Sequence, residues 1–316
     1  MCRGPILARV WEETAAVQSG ILTRRQAHDG GLTDEAIEAR LASGRWQRVY
    51  PGVLATFSGP LTRPAQLWAA VLVSGPDAVL SHETAAELFG LLSEPQPLIH
   101  VSVPAARRLV KRPGVVVHRT RLAATIRHPA LSPPRTRVED TVIGLTQSCA
   151  SLDAAIGWLV KAAASRLTTA KRLLTTLTSR HRLRWRGPLT EALGDVAAGC
   201  HSMLELHYLR SVERAHGLPQ GWRQHRRQGW YDDVDYAEYG VSVELDGRVA
   251  HPAEQRFRDH RRDNAAVLAG SRVLRYGYAD VAHRPCEVAQ QVAAVLRAGG
   301  WRGKPRGCGS GCPVPH

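Results

Sequence analysis

No apolar run in this chain reaches the roughly 18 residues needed to cross a bilayer. The longest, LWAAVLVSG at positions 67–75, has the length of a core helix. No secretory signal is recognisable, and the six cysteines, Cys2, Cys149, Cys200, Cys286, Cys308 and Cys312, lack the spacing of a disulfide framework. The expectation is a soluble, cytoplasmic protein with reduced thiols and no membrane partner. Cys308 and Cys312 make a C-x3-C in a Gly/Pro-rich tail that also carries His316. Two thiols and a distant histidine are too few for a structural zinc site, so residues 301–316 read as a disordered tail. Internal repeats are absent, and so is any aromatic platform of the kind that single-stranded RNA modules use.

Acidic residues are scarce: 28 Asp+Glu face 42 Lys+Arg, a net charge of +14 over 316 residues. Such an excess makes a polyanion the natural partner, and DNA fits it best. A hydrophobic content of 44% is ample for packed cores, and the length suggests two or three domains.

Local signals organise the first part of the chain. Thr23 can N-cap a short helix through Ala27, Gly30-Gly31 turns the chain, and Thr33 can N-cap a second helix over Asp34–Ser43. Ile37 and Leu41 share a face of that helix, and Gly44 ends it. RWQRVY-PG-VLAT then reads as a β-hairpin. Helix, turn, helix, hairpin is the order of a winged helix-turn-helix. Two helices follow over 61–92, the second opened by Ser81, then strands LIHVSVP and GVVVHR around a basic loop. Helices are expected over 138–147, 152–164 and 168–179, with SRHRLRWRG as a basic connection. Further on come a helix near 201–216, extended segments, a long helix over 253–269 closed by Gly270, the strand SRVLRYG and a final helix ending near 298.

Against this basic background, YDDVDYAEYGVSVELDGRVAH (231–251) concentrates acid. If Asp232–Ala237 and Val241–Asp246 pair antiparallel through a turn at Tyr239-Gly240 or Glu238–Val241, Asp235 faces Glu244 and Asp233 faces Asp246. All four carboxylates then share one side, because side chains two apart lie on the same face. Val234, Tyr236, Val243 and Leu245 form the other, apolar side. Two carboxylates ~5 Å apart repel by about 3 kcal/mol at an effective dielectric near 20. A divalent cation removes that repulsion, and carboxylates are the ligands Mg²⁺ prefers. The face therefore points to a metal or acid-base site. Glu205 is a fifth acid, although Ser202 three residues before it makes a capping-box pattern. His251 follows the second strand, where it could stand as a solvated residue, a metal ligand or a proton carrier.

The stretch DVDYAEYGVSVELDGRVAH, together with DHRRDNAAVLAGSRVLRYGYADV, resembles the Vsr-like endonuclease-fold domain of unknown function within the PD-(D/E)xK nuclease superfamily. The likeness spans about residues 199–298. It includes the S-x-x-E helix start, the D…E-x-D hairpin, the trailing histidine, the helix carrying Asp259, Arg262 and Asp263, and the V-L-R strand. It implies Asp235 and Glu244 as metal ligands for Mg²⁺ (or Mn²⁺). Glu205, Asp246 and His251 would complete the catalytic group. Asp246 stands where the superfamily has a lysine, so the missing positive charge would come from Arg248, His251 or a second cation.

ILTRRQAHDGGLTDEAIEARLASGRWQRVYPGVL, with IHVSVP and GVVVHRTRL, resembles the AbiEi-family antitoxins, DNA-binding repressors with a winged helix ahead of a mixed α/β domain. Asp34, Glu35 and Glu38 on the recognition helix would repel phosphates, so backbone contacts fall to Arg24, Arg25, Arg40, Arg45 and Arg48. Arg182, Arg184, Arg186, Arg248 and Arg262 would serve the second half.

The expected architecture is thus a multi-domain α/β chain. A winged helix-turn-helix covers 1–60 and a mixed α/β antitoxin-like domain 61–147. A helical and basic linker covers 148–187, and a restriction-endonuclease-like αβ domain with a central mixed sheet covers 188–300. The expected function is metal-dependent hydrolysis of DNA phosphodiester bonds, with a cognate toxin or repair protein as a further partner. The alternative is a non-enzymatic, antitoxin-like transcriptional regulator with a degenerate nuclease fold.

Overall fold

The computed structural model describes residues 10–227, 230–246 and 272–314, with the backbone alone at 224–227 and 230–232. The chain is mixed α/β and divides into two compact units, Met1–Cys149 and Ala150–His316. No described helix is long and apolar enough to cross a membrane.

The first unit begins with helix α1 (Val10–Val17), strand β1 (Ile21–Thr23), helices α2 (Arg24–Asp29) and α3 (Asp34–Ala42), and strands β2 (Gln47–Tyr50) and β3 (Val53–Ala55). Both expected caps form. Thr23 and Gln26 exchange side-chain-to-backbone bonds in a capping box, and the Thr33 hydroxyl accepts from the Ala36 N–H. The hairpin gains β1 as a third strand, giving the antiparallel order β1-β3-β2. Leu22, Ala27, Ile37, Trp46 and Leu54 make the core beneath it.

Helix α4 (Arg63–Ser74) follows. It is apolar on two sides. Ala65, Trp68 and Ala69 pack with Ile21, Val53 and Ala55, while Leu67, Ala70 and Val71 pack with Leu80, Ile99 and Val101. The second set belongs to the sheet β4-β5-β6 (Val79–Leu80, Ile99–Pro104, Val115–Thr120), whose last two strands run parallel. A helix buried against both sheets cannot be a boundary, which is why the expected division at residue 60 does not appear. Helices α5 (His82–Leu88), α6 (Ala123–Ile126) and α7 (Val138–Ser148) complete the unit.

The second unit begins with α8 (Leu152–Ala164), α9 (Ala170–Thr178) and α10 (Arg186–Ala197), which pack on one another through buried leucines such as Leu159, Leu173, Leu177 and Leu189. Residues 148–187, expected as a linker, are therefore mostly core-forming helix. The basic run 180–186 joins two helices of a single unit. Next come α11 (Met203–His207), continued as a π-helix over Tyr208–Arg214, then strands β7 (Trp222–Arg227), β8 (Trp230–Tyr236), β9 (Val241–Asp246) and β10 (Arg272–Gly277). Helices α12 (Tyr278–His283) and α13 (Pro285–Ala298) close the order.

The sheet order is β10-β9-β8-β7, antiparallel except for the parallel pair β9/β10. A parallel pair needs a crossover connection. Here it runs through 247–271, so the helix expected over 253–269 lies outside the described residues. On the sheet's apolar side Val234, Tyr236, Val243 and Leu245 pack with Leu204, Tyr208 and Val212 from the first helix and Val288, Val292 and Leu296 from α13. The tail is not disordered as expected. Val314 is buried in this same core, Trp301 and Cys312 pack against it, and the Arg306 N–H donates to the His216 carbonyl at 2.9 Å.

Candidate active site

The hairpin β8/β9 divides as the alternation predicts, with one correction. Val234 pairs with Val243, Asp235 with Ser242 and Tyr236 with Val241. The register is shifted by two residues from the expected pairing of Asp235 with Glu244 and Asp233 with Asp246. The cause is the position of the turn, which lies one residue earlier than the expected Glu238–Val241: a 3₁₀ turn over Ala237–Tyr239 closed by Gly240 at φ 63°. A two-residue shift preserves sidedness, because side chains alternate with period 2. Asp235 and Glu244 therefore share the polar face as diagonal rather than direct neighbours.

Both carboxylates are buried, Asp235 at 0% and Glu244 at 7% relative exposure. Asp246 lies on the same face at the exposed end of β9. Asp233 has a structural role: its Oδ2 accepts from the Leu245 N–H at 2.8 Å, where the ladder beyond Val234 would otherwise continue. Glu205 is buried on α11, which packs against β9. Its Oε2 accepts from the His201 N–H, and its own N–H donates to the Ser202 hydroxyl, so the capping role holds as well. Among the described residues, no three of these acids bring their oxygens within 4.8 Å of one another. Asp235 and Glu244 stand as the central pair of the face rather than part of a closed acidic cage.

Two residues that sequence reasoning did not single out join this face. Arg275 lies opposite Glu244 in the β9/β10 ladder and its Nε donates to Glu244 Oε2 at 2.8 Å. Trp222 lies opposite Asp235 across β7/β8 and is 68% exposed. The alternation of RVLRYG already puts Arg275 on one side of its strand with Val273. Only the parallel register with β9 shows that this side is the acidic one. His251, Arg248 and Arg262 lie outside the described residues.

In the first unit, three of the arginines expected to meet DNA are engaged internally. Arg24 bridges Asp34 and Glu38, and Arg48 pairs with Glu38 at 2.7 Å. Arg40 lies over the rings of Trp11 and Trp46 and donates to the Ala36 carbonyl. The acids of α3 thus balance neighbouring arginines. The Arg24 guanidinium, against burial and with smaller help from His28, holds the Asp34 carboxyl below its ordinary range. Arg25 and Arg45 remain exposed. In the second unit Arg182 and Arg184 are exposed in the α9–α10 loop, Arg184 stacked over Trp185 at 3.7 Å, and Arg186 opens α10.

Fold and site together define a mixed α/β protein of several sheets with a carboxylate pair buried on one sheet face. No protein-family model matches the chain, and no curated protein matches it.

Proposed function

We propose that the second unit is an endonuclease-like domain that hydrolyses DNA phosphodiester bonds with a divalent cation, and that the first unit is a winged-helix DNA-binding module. The observation that carries this reading is the pair Asp235 and Glu244, buried as diagonal neighbours on one face of a mixed sheet whose other face packs into the apolar core. Burying two carboxylates is costly unless something compensates their charge.

Oxygen donors of this kind suit Mg²⁺ or Mn²⁺, which bind through one or two carboxylates and keep the remaining positions for water and phosphate. Asp235 and Glu244 would hold such a cation, which would supply positive charge at the scissile phosphate and lower the pKa of a bound water. Glu205 steadies the helix that flanks β9, and Asp246 at the exposed strand end is placed to accept a proton from solvent. Arg275 supplies the cationic group that the E-x-D pattern lacks: its guanidinium can turn from Glu244 to a phosphate oxygen. Trp222 offers a flat apolar surface on which a base can stack. Arg25 and Arg45 in the first unit, and Arg182, Arg184 and Arg186 in the second, contribute sequence-independent phosphate contacts.

The test is nicking of supercoiled plasmid by the full chain with Mg²⁺ or Mn²⁺, compared with Asp235→Asn. Equal background cleavage by both proteins removes the enzyme reading. A second reading, duplex binding without cleavage, is favoured by the Arg275–Glu244 ion pair, because an arginine on that carboxylate competes with a cation. It predicts salt-sensitive DNA binding that metal and Asp235→Asn leave unchanged.

A further inference from the structure

We propose that His216, Cys286, Cys308 and Cys312 form a Cys₃His site for a tetrahedrally bound zinc ion, which fastens the C-terminal tail to the second unit. The four donor atoms all lie within 4.8 Å of one another. The Cys286 and Cys308 sulfurs are 3.5 Å apart, and the Cys312 sulfur is 3.5 Å from His216 Nε2. Tetrahedral zinc with bonds of about 2.3 Å to sulfur and 2.0 Å to nitrogen places its ligands ~3.8 Å (S to S) and ~3.5 Å (S to N) apart.

The donors come from three separate parts of the chain. His216 ends the helix that begins at α11, and Cys286 lies in the first turn of α13. Cys308 and Cys312 bracket a Gly-Ser-Gly turn in which the Cys312 N–H donates to the Gly309 carbonyl and Gly311 takes φ 90°. Only a residue free of Cβ strain turns the chain tightly enough there to return the second thiol to the first. The tail is docked by contacts of its own: the Arg306 N–H on the His216 carbonyl, the Arg306 guanidinium on the Arg214 carbonyl, and buried Val314.

His216 is presented as a zinc ligand. It is fully buried, and its Nδ1 lies 3.1 Å from the Val212 carbonyl. A carbonyl only accepts, so Nδ1 carries the hydrogen and Nε2 turns its lone pair toward the sulfurs. This is the usual outer support of a zinc-bound histidine. Three thiolates and a neutral imidazole leave a zinc site with one net negative charge. The tail carries Arg302, Lys304 and Arg306 to balance it. Thiolate-rich donors also select zinc over the hard cation that suits Asp235 and Glu244, so this site stands apart from the nuclease reading.

The other histidine cluster, His82, His100 and His118 in the first unit, lacks this geometry. The rings of His82 and His118 stack at 3.6 Å with their planes 19° apart, and His100 Nδ1 pairs with His118 Nε2 at 2.9 Å. Their donor nitrogens also lie within 4.8 Å of one another, but the 2.9 Å contact between His100 and His118 is a direct hydrogen bond that occupies both nitrogens.

The test uses the full chain, purified reduced and without chelators, with zinc measured by mass spectrometry. About one equivalent per chain is expected. It should be retained by Asp235→Asn and by Cys149→Ser and fall at least tenfold in Cys308→Ser and Cys312→Ser. Cys308 is exposed, so its serine variant keeps the fold, as circular dichroism will verify. Cobalt(II) exchanged into the wild-type chain should give intense visible bands of tetrahedral geometry and a thiolate charge-transfer band, without any substitution. Any one of three results overturns the proposal: a zinc-free wild type with titratable thiols, a Cys286–Cys308 disulfide in the peptide map, or full zinc in both serine variants.

Discussion

Glu213 and Glu244 belong to opposite sides of the same unit's sheet and meet their arginines in opposite ways. Glu213 lies among the apolar residues. Its carboxylate is held by Arg223, by the Tyr236 hydroxyl at 2.5 Å and by the Gly221 N–H, and Tyr208 bonds Tyr236 in turn. The side chains of Arg223 and Glu213 are only 5% and 2% exposed. A Cβ at Gly221 would come within 2.4 Å of Val234, so the close approach of that backbone requires glycine. Glu244 pairs with Arg275, whose side chain is 38% exposed. The first arrangement is closed and holds the fold together. The second keeps one partner in solvent, where it can be exchanged for a ligand.

The comparison is broken most forcefully by Arg223→Met. Removing one member of a buried pair leaves an uncompensated charge, which costs about 3–5 kcal/mol. Burial opposes the charge on Arg223, yet Glu213 beside it holds its pKa above the ordinary value. Urea unfolding should show the full loss, and Arg223→Met combined with Glu213→Gln should recover much of it. If Arg223→Met leaves the midpoint unchanged, the cluster is not the structural anchor described.

Asp235→Asn tests the open face. Cleavage should fall by more than about 100-fold, the scale of losing a group that acts in the transition state. Stability should stay within about 1 kcal/mol, because the change removes a buried charge while keeping the shape. A large loss of stability would put Asp235 with Glu213, as a structural carboxylate.

The sequence made much of this legible where the rules are local. Threonine caps, alternation on β8 and β9 and the strand RVLRYG follow from one or two turns of chain, and they fall where spacing puts them. What failed depended on distant parts meeting. Turn position at Ala237–Gly240 decided the register, and α4 erased a boundary by packing on two sheets at once. The C-x3-C tail looked deficient because the other two donors beside it lie far back in the chain, Cys286 22 positions before Cys308 and His216 96 positions before Cys312. Arginines counted as DNA contacts proved to have acidic neighbours on α3, which charge totals cannot reveal.

Closed polar clusters should also respond to acid. In the first unit, burial lowers His82 from 6.5 to about 3, with smaller contributions from the positive charge of His118 and His100. Glu83 lies 3.2 Å from His100 at the edge of the same cluster. The unfolded chain takes a proton on His82 below about 6.5, while the folded chain resists until about 3. Stability from this group is therefore full above pH 6.5 and falls as pH drops from 6.5 toward 3, by about 1.4 kcal/mol per unit of depression. His82→Asn, which tolerates the φ of 49° found there, should flatten that slope by up to about one proton. Parallel slopes for variant and wild type would show that His82 does not carry the effect.

The smallest effect is expected at Arg275, and it discriminates most finely between the two faces. A half-exposed ion pair contributes about 0–1 kcal/mol, because solvent screens it and holding two side chains in one geometry lowers entropy. Arg275→Ala should therefore barely move the unfolding midpoint, unlike Arg223→Met. Its consequence should appear with DNA and metal. Relieved of its arginine, Glu244 binds a divalent cation more tightly, while the phosphate loses a charge-assisted bond. Calorimetry should then show stronger Mn²⁺ binding alongside slower cleavage. If Arg275→Ala weakens Mn²⁺ binding instead, the arginine shapes the carboxylate site rather than competing for it, and the contrast between an open and a closed face is lost.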